Sequence, residues 1–154
     1  MAQKSRDGYI VFLSTMDNGY QFLSNFYKCN VVVDGVSYRS TEHYYQSMKT
    51  SRDDLRQMIR DAPSPYYAKV IGGGLRKNDV AKDWESERVG VMMKGIRAKF
   101  TQNPELREKL LATGDAKLHE GNMDDKFWGM GGRDMLGKLL MELRSELRYA
   151  LRPL

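Results

Sequence analysis

The stretch CNVVVDGVSYRSTEHYYQS, residues 29–47, decides the fold class of this 154-residue chain. Two β-branched runs flank Asp34-Gly35, a dipeptide that readily takes the left-handed conformations of a two-residue turn, so residues 29–38 read as a β-hairpin. Ser40 or Thr41 follows as a helix cap, and TEHYYQSMK, residues 41–49, reads as a short helix. A hairpin leading directly into a helix implies an α+β arrangement.

Working outward, YIVFL at 9–13 has the short apolar run of a buried strand. Ser51 with Asp53 and Asp54 opens a second helix, and Ser64-Pro65 opens a third that Gly72-Gly73-Gly74 stops. From Asp83 to Phe100 the residues Val89, Met92, Met93, Ile96 and Phe100 recur at helical spacing, with Arg, Lys and Glu expected on the opposite, wet face. Asn103-Pro104-Glu105 starts another helix, buried through Leu106, Leu110 and Leu111. After a turn at Thr113-Gly114-Asp115, AKLHE is a short strand. Leu136, Leu139, Leu140, Leu143, Leu147 and Leu151 mark a long C-terminal helix, with Arg144, Arg148 and Arg152 suited to its C-terminal dipole. The expected architecture is α+β and predominantly helical, with a small β component near the N-terminus, in a single domain over residues 1–154.

Composition narrows the functional classes. One cysteine, Cys29, excludes an internal disulfide, and with only His43 and His119 beside it no metal site and no cofactor is expected. No run of 18 apolar residues exists to span a bilayer, and the polar start MAQKSRDG does not resemble a signal peptide; no membrane association is expected, and the predicted location is intracellular, in the cytoplasm. A net charge of +5 favours an anionic partner such as a phosphorylated metabolite or nucleic acid.

Several residues carry potential chemistry, each with a plain structural alternative. Glu42 is either a first-turn acid favoured by the helix dipole or a pocket carboxylate. His43 is either a hydrogen-bonded structural histidine or a proton carrier. Trp84 and Trp128 either fill the core or stack on a heterocycle. Gly129, Gly131 and Gly132 either make a tight turn or aim backbone N–H groups at a phosphate. Arg88 is one of several cations suited to a phosphate contact.

The blocks FLSNFY (22–27), TEHYYQSMK (41–49), DWESERVGVM (83–92), KFTQNPELREKLLATGDAKLHE (99–120), DDKFWGMG (124–131) and LGKLLMELR (136–144) together closely resemble the NADAR, or YbiA-like, family. That resemblance implies a compact, mostly helical α+β domain that hydrolyses the N-glycosidic bond between ribose and the amino group of a heterocycle. It implies two substrate classes: ADP-ribose attached to the guanine amino group of a nucleotide or nucleic acid, and phosphorylated ribosylaminopyrimidine intermediates of riboflavin synthesis. A module that binds ADP-ribose or nucleic acid without cutting is the non-enzymatic alternative.

By motif, Glu42 matches the acid of the family's EHY-Q block, Trp84 its DW tryptophan, and Asp125 the acid two places before FW. The resemblance makes Glu42 and Asp125 the expected catalytic carboxylates and Trp84 a substrate contact; Tyr44, Tyr45, Asn25, Trp128 and Arg88 are the further expected substrate contacts. Glu42 would stabilise positive charge on the sugar and handle the attacking water, while Asp125 would position the ribose hydroxyls or share proton transfer. A Schiff base on Lys28 or Lys49 is the alternative route. Near the end the chain departs from relatives that carry a longer basic loop with Asn before LG: here the run is GMGGRDMLG, with Asp134 at that place.

Overall fold

The computed structural model describes residues 8–151, which form six α-helices and four short strands. They group into two compact units, one contiguous over 25–102 and one built from residues up to 24 together with those from 103 onward.

Strand β1 (Tyr9–Phe12) belongs to the other unit; the strands of the contiguous unit are β2 (Val31–Val33) and β3 (Val36–Tyr38), paired antiparallel with Val31 opposite Tyr38 and Val33 opposite Val36. Asp34 and Gly35 sit at φ 51° and 80°, the two left-handed residues that a type I′ turn requires. Val31, Val33 and Tyr38 are buried against Tyr44 in an apolar cluster. The outer edge of β2 is occupied by Gln102, whose side chain donates to Val32 O at 2.7 Å and accepts from Val32 N at 2.8 Å. An amide side chain here replaces the missing neighbouring strand.

Helix α1 (Thr41–Ser47) is capped by Ser40, whose hydroxyl accepts from His43 N at 3.2 Å. Helix α2 (Asp53–Arg60) starts one residue later than Ser51 would place it: Arg52 holds the N-cap position without a side-chain cap, and its guanidinium binds Asp54 and Asp79. Helix α3 (Pro65–Gly73) has Ser64 as cap and Pro65 in its first turn, and Ala68 packs with Ile59 and Ala62. Helix α4 (Trp84–Gln102) buries Met92, Met93, Ile96 and Phe100 as its spacing predicts. Gly95 lets α1 approach, since a Cβ there would lie 2.8 Å from the Tyr44 ring.

Lys99 does not join the wet face of α4. It is 1% exposed, with Nζ 5.0 Å from the Phe100 ring centroid and 5.6 Å from that of Tyr27. Burial lowers its pKa from 10.5 to about 8. Between those values the unfolded chain holds more protons than the folded one, so the contribution of Lys99 makes stability rise with pH over that window. Cys29, whose thiol burial pushes up, contributes with the opposite sign. The informative quantity is therefore the difference between wild type and Lys99→Met. Urea denaturation from pH 7 to pH 11 is expected to show wild type gaining on the variant by up to about 3 kcal/mol as pH rises. A gap that does not change with pH would refute the assignment.

In the second unit, β1 (Tyr9–Phe12) pairs in parallel with β4 (Lys117–Glu120), Tyr9 opposite Lys117 and Phe12 opposite Glu120. The β component is therefore not confined to the N-terminal part of the sequence. Helix α5 (Pro104–Ala112) buries Leu106 and Leu110, and α6 (Met135–Ala150) packs on β4 through a stripe that includes Leu136, Leu139, Leu140 and Leu143. The expected stripe ends early: Leu151 lies past the helix and is 65% exposed. Arg144 is buried and donates to Thr113 Oγ1 at 2.9 Å, while Arg148 binds Asp115 and Gly114 O. These two arginines tie α6 to the α5–β4 turn. Arg152 falls outside the described residues.

Candidate active site

Every residue of α1 is buried, so its polar side chains need partners. His43 Nε2 lies 3.0 Å from Ala62 O and Nδ1 2.7 Å from Ser40 Oγ. A carbonyl only accepts, so Nε2 carries the proton and Nδ1 accepts from the serine hydroxyl. Burial also lowers the His43 pKa. The neutral ring thus has both nitrogens engaged, linking the α1 cap to the α2–α3 connection.

Glu42, 6% exposed, is the acid of this helix. Its backbone N–H donates to Asn25 O at 3.1 Å, and Gln46 Nε2 donates to its Oε1 at 2.7 Å. Tyr45, three residues on and so on the same side of the helix, packs on Trp84 with ring centroids 5.1 Å apart. Lys49 Nζ lies 5.7 Å from the Tyr45 centroid. Arg88 stands one turn after Trp84 on α4, with a guanidinium nitrogen 3.2 Å from Glu85. Asn25 turns its Nδ2 to Met92 Sδ at 3.2 Å and leaves Oδ1 buried with no hydrogen-bond partner. A thioether is a weak acceptor, so the Asn25 amide is poorly satisfied at both ends.

The α1 and α4 motif residues therefore fall in one unit together with Asn25. Tyr44 points elsewhere. It lies in the hairpin cluster, edge-on to Tyr38 at 5.3 Å, with its pKa raised to about 12 by burial. Its ring is core, because adjacent helical residues face directions about 100° apart and only one of the two tyrosines shares the Glu42 side. Lys28 lines a cavity of about 420 Å³ with Cys29, Arg39, His43 and Pro65, whereas Lys49 is the lysine beside Tyr45.

Asp125 and Trp128 belong to the other unit. Asp125 Oδ1 accepts from Phe127 N at 3.0 Å and Trp128 N at 2.9 Å, holding the turn that presents Trp128. Trp128 meets Phe127 edge-on at 4.7 Å. The glycine-rich run does not form a phosphate cradle. Gly129 N bonds Asp125 O, Met130 N bonds Glu120 O, Gly132 N and Asp134 N bond Gly129 O, and Met135 N and Leu136 N bond Phe127 O and Trp128 O. The N–H groups of Gly129, Met130, Gly132 and Asp134 are thus spent on backbone carbonyls and not aimed at an anion. Asp134, in the left-handed region at φ 53°, accepts from Glu120 N and pairs with His119 Nδ1 at 2.5 Å, so it ties the start of α6 to β4.

Among the described residues no group of three or more His, Cys, Asp or Glu could hold a metal ion, and no helix is long and apolar enough to cross a membrane.

The α+β fold thus carries a buried helical acid, the amide that bonds it and a tyrosine–tryptophan pair in one unit. The chain belongs to the NADAR family, whose domain matches residues 11–148. It is 43% identical to the N-glycosidase YbiA of Escherichia coli K12 over 146 residues, covering 92% of this chain and 90% of that one. The NMR structure of E. coli YbiA superposes with a TM-score of 0.81 at 37% identity, covering 94% of this chain and 91% of that one. A longer relative, the riboflavin biosynthesis protein VVA0006 of Vibrio vulnificus, is 37% identical over 142 residues, 90% of this chain and 38% of its own length. Family membership makes this chain an enzyme, a hydrolase of N-glycosyl bonds.

Gln46 was legible four residues after Glu42, the spacing at which helical side chains meet. Gly72, where a Cβ would run into the Gln46 side chain, read only as a helix stop, because that packing has no sequence signature.

Proposed function

We propose that the enzyme cuts the bond between ribose C1 and the exocyclic amine of a guanine-like heterocycle, with ADP-ribose on guanine as the substrate. The observation that carries the reading is the buried Glu42 carboxylate, held by Gln46, on the same side of α1 as the Tyr45–Trp84 pair. As the C1–N bond breaks, its electron pair goes to nitrogen, which takes a proton, and positive charge builds on C1. Glu42 stabilises that charge and accepts one proton of the water whose oxygen bonds to C1; solvent supplies the amine's proton and takes this one back from Glu42, so one water is consumed. Trp84 and Tyr45 enclose the heterocycle, and Asn25 Oδ1 accepts from a substrate N–H or O–H. Asp125 is proposed as the second carboxylate, and Trp128 as a further contact, from their places in the motif alone.

Charge supports an anionic substrate. Residues 25–102 contain fourteen Lys/Arg against nine Asp/Glu, so the whole net charge of +5 resides in the unit that carries Glu42. Arg88 is the proposed phosphate contact. A second reading, cleavage of a phosphorylated ribosylaminopyrimidine, is favoured by the riboflavin biosynthesis name of the Vibrio relative.

Mass spectrometry of an equal mixture of guanine-ADP-ribosylated oligonucleotide and phosphorylated ribosylaminopyrimidine separates the two. Release of ADP-ribose first is the expected result; release of ribose 5-phosphate first would replace it with the second reading. Borohydride added during turnover tests the covalent route: a sugar adduct on Lys28 or Lys49 would move the mechanism to a Schiff base, and its absence is expected.

A further inference from the structure

Gln46 makes a poor structural residue. It is 4% exposed, and its Oε1 is buried with no hydrogen-bond partner, an arrangement less favourable than a satisfied or an apolar side chain. Its orientation is nonetheless determined. Turning the amide over would set its oxygen 2.7 Å from the Glu42 carboxylate, two acceptors in contact, so Nε2 must face the acid and Oε1 must face the other way.

On that other side is α3. A Cβ built on Gly72 would lie 2.0 Å from Gln46 Oε1, 2.8 Å from its Cδ and 3.0 Å from its Cβ. The glutamine oxygen thus occupies the volume that any other residue at 72 would fill. Gly72 is the penultimate residue of α3 and has no positive φ, so no left-handed conformation requires glycine there. What requires it is the Gln46 side chain. The neighbouring Gly73 has nothing within 4 Å of a Cβ position, so the constraint is specific to residue 72.

We propose that Gln46, seated against the bare Cα of Gly72, is the positioning residue that fixes the Glu42 carboxylate in its reactive orientation. The inference rests on the reading of Glu42 as the carboxylate that faces the sugar. Helix α3 then acts on the reaction through two steps: Gly72 limits where Gln46 can lie, and Gln46 limits where Glu42 Oε1 can lie. An error of about 1 Å in a catalytic group can lower a rate by about 100-fold, so a single hydrogen bond that sets a carboxylate rotamer has measurable leverage.

The test compares wild type with Gln46→Met, Gly72→Ala and the double variant. Methionine keeps the length and volume of glutamine and removes the donor, so a merely space-filling Gln46 would be replaced without loss. Turnover is followed on the guanine-ADP-ribosylated oligonucleotide and on the phosphorylated ribosylaminopyrimidine. Gln46→Met is expected to lower kcat about 10- to 100-fold with KM within about twofold of wild type, because the lost interaction acts in the transition state. Gly72→Ala is expected to fall in the same range, and the double variant is expected to be no worse than Gln46→Met alone, since both remove one bond. The 13Cδ resonance of Glu42, assigned by its loss in Glu42→Gln, gives a readout without substrate: it is expected to move in the same direction in Gln46→Met and Gly72→Ala. An unmoved resonance in Gln46→Met, unchanged kcat in that variant, or losses that multiply in the double variant would overturn the proposal. Wild type inactive on both probes would instead reject the substrate reading, while the resonance would still decide whether Gln46 positions Glu42. If Gly72→Ala fails to fold, Gln46→Met alone decides.

Discussion

Glu42→Gln is expected to lower turnover by about 100- to 1,000-fold while leaving the fold intact. The substitution preserves shape and removes the charge that would offset the cation developing at C1. It also removes the acceptor for the proton of the attacking water. Because a glutamine oxygen can still accept from Gln46 Nε2, the α1 geometry persists, and circular dichroism with a melting curve should give a Tm within a few degrees of wild type. Relief of a buried carboxylate even offsets part of the lost hydrogen-bond strength. Turnover near the wild-type value in a folded Glu42→Gln protein would eliminate the carboxylate mechanism. Comparable activity loss accompanied by unfolding would not support it, and the melting curve separates the two.

The second large effect is on stability. Gly129→Ala would place a Cβ 2.0 Å from Asn122 O and 2.9 Å from both Asp125 O and Glu120 Oε2. The first two neighbours are backbone atoms within the same hydrogen-bonded loop, and they cannot swing aside as a long side chain does. A loss of roughly 3 kcal/mol is expected, which lowers Tm by about 6 to 12 °C in a chain of this size. Gly90→Ala is the control. It lies on the exposed side of α4 with nothing within 4 Å of its Cβ position, and is expected to stabilise by about 0.5 to 1 kcal/mol. If both variants melt like wild type, the glycine run is not the tightly packed turn described above.

The parts of the fold that were legible in the sequence are those governed by short-range rules. Asp34-Gly35 announces a hairpin because few other pairs adopt two left-handed conformations, and Ser64-Pro65 announces a helix start because the cap and the fixed φ act locally. The parallel pairing of β1 with β4 was not legible, since its partners lie far apart in the chain and neither strand encodes the other. Lys99 read as a surface charge because a lysine at a helical position gives no sign that its stem and head are both enclosed. Within the candidate site, the motif singles out Glu42 and Trp84, yet it does not choose between Tyr44 and Tyr45. That choice is made by the 100° step of the helix and by which ring the hairpin cluster receives. Likewise the glycines at 129–132 suggested a phosphate loop by type, while their actual use is close backbone contact, which depends on three-dimensional neighbours.

The parallel β1–β4 ladder also sets an order of events during synthesis. Tyr9 pairs with Lys117, so β1 leaves the ribosome more than one hundred residues before its partner exists. The contiguous unit over 25–102 draws its contacts from sequence already made and can form in that interval. Ile10 and Phe12, finally 1% and 0% exposed, must stay uncovered meanwhile. A nascent chain stalled before residue 117 therefore displays an unpaired apolar strand, and closing the unit made from both ends of the chain is its last and most aggregation-sensitive step.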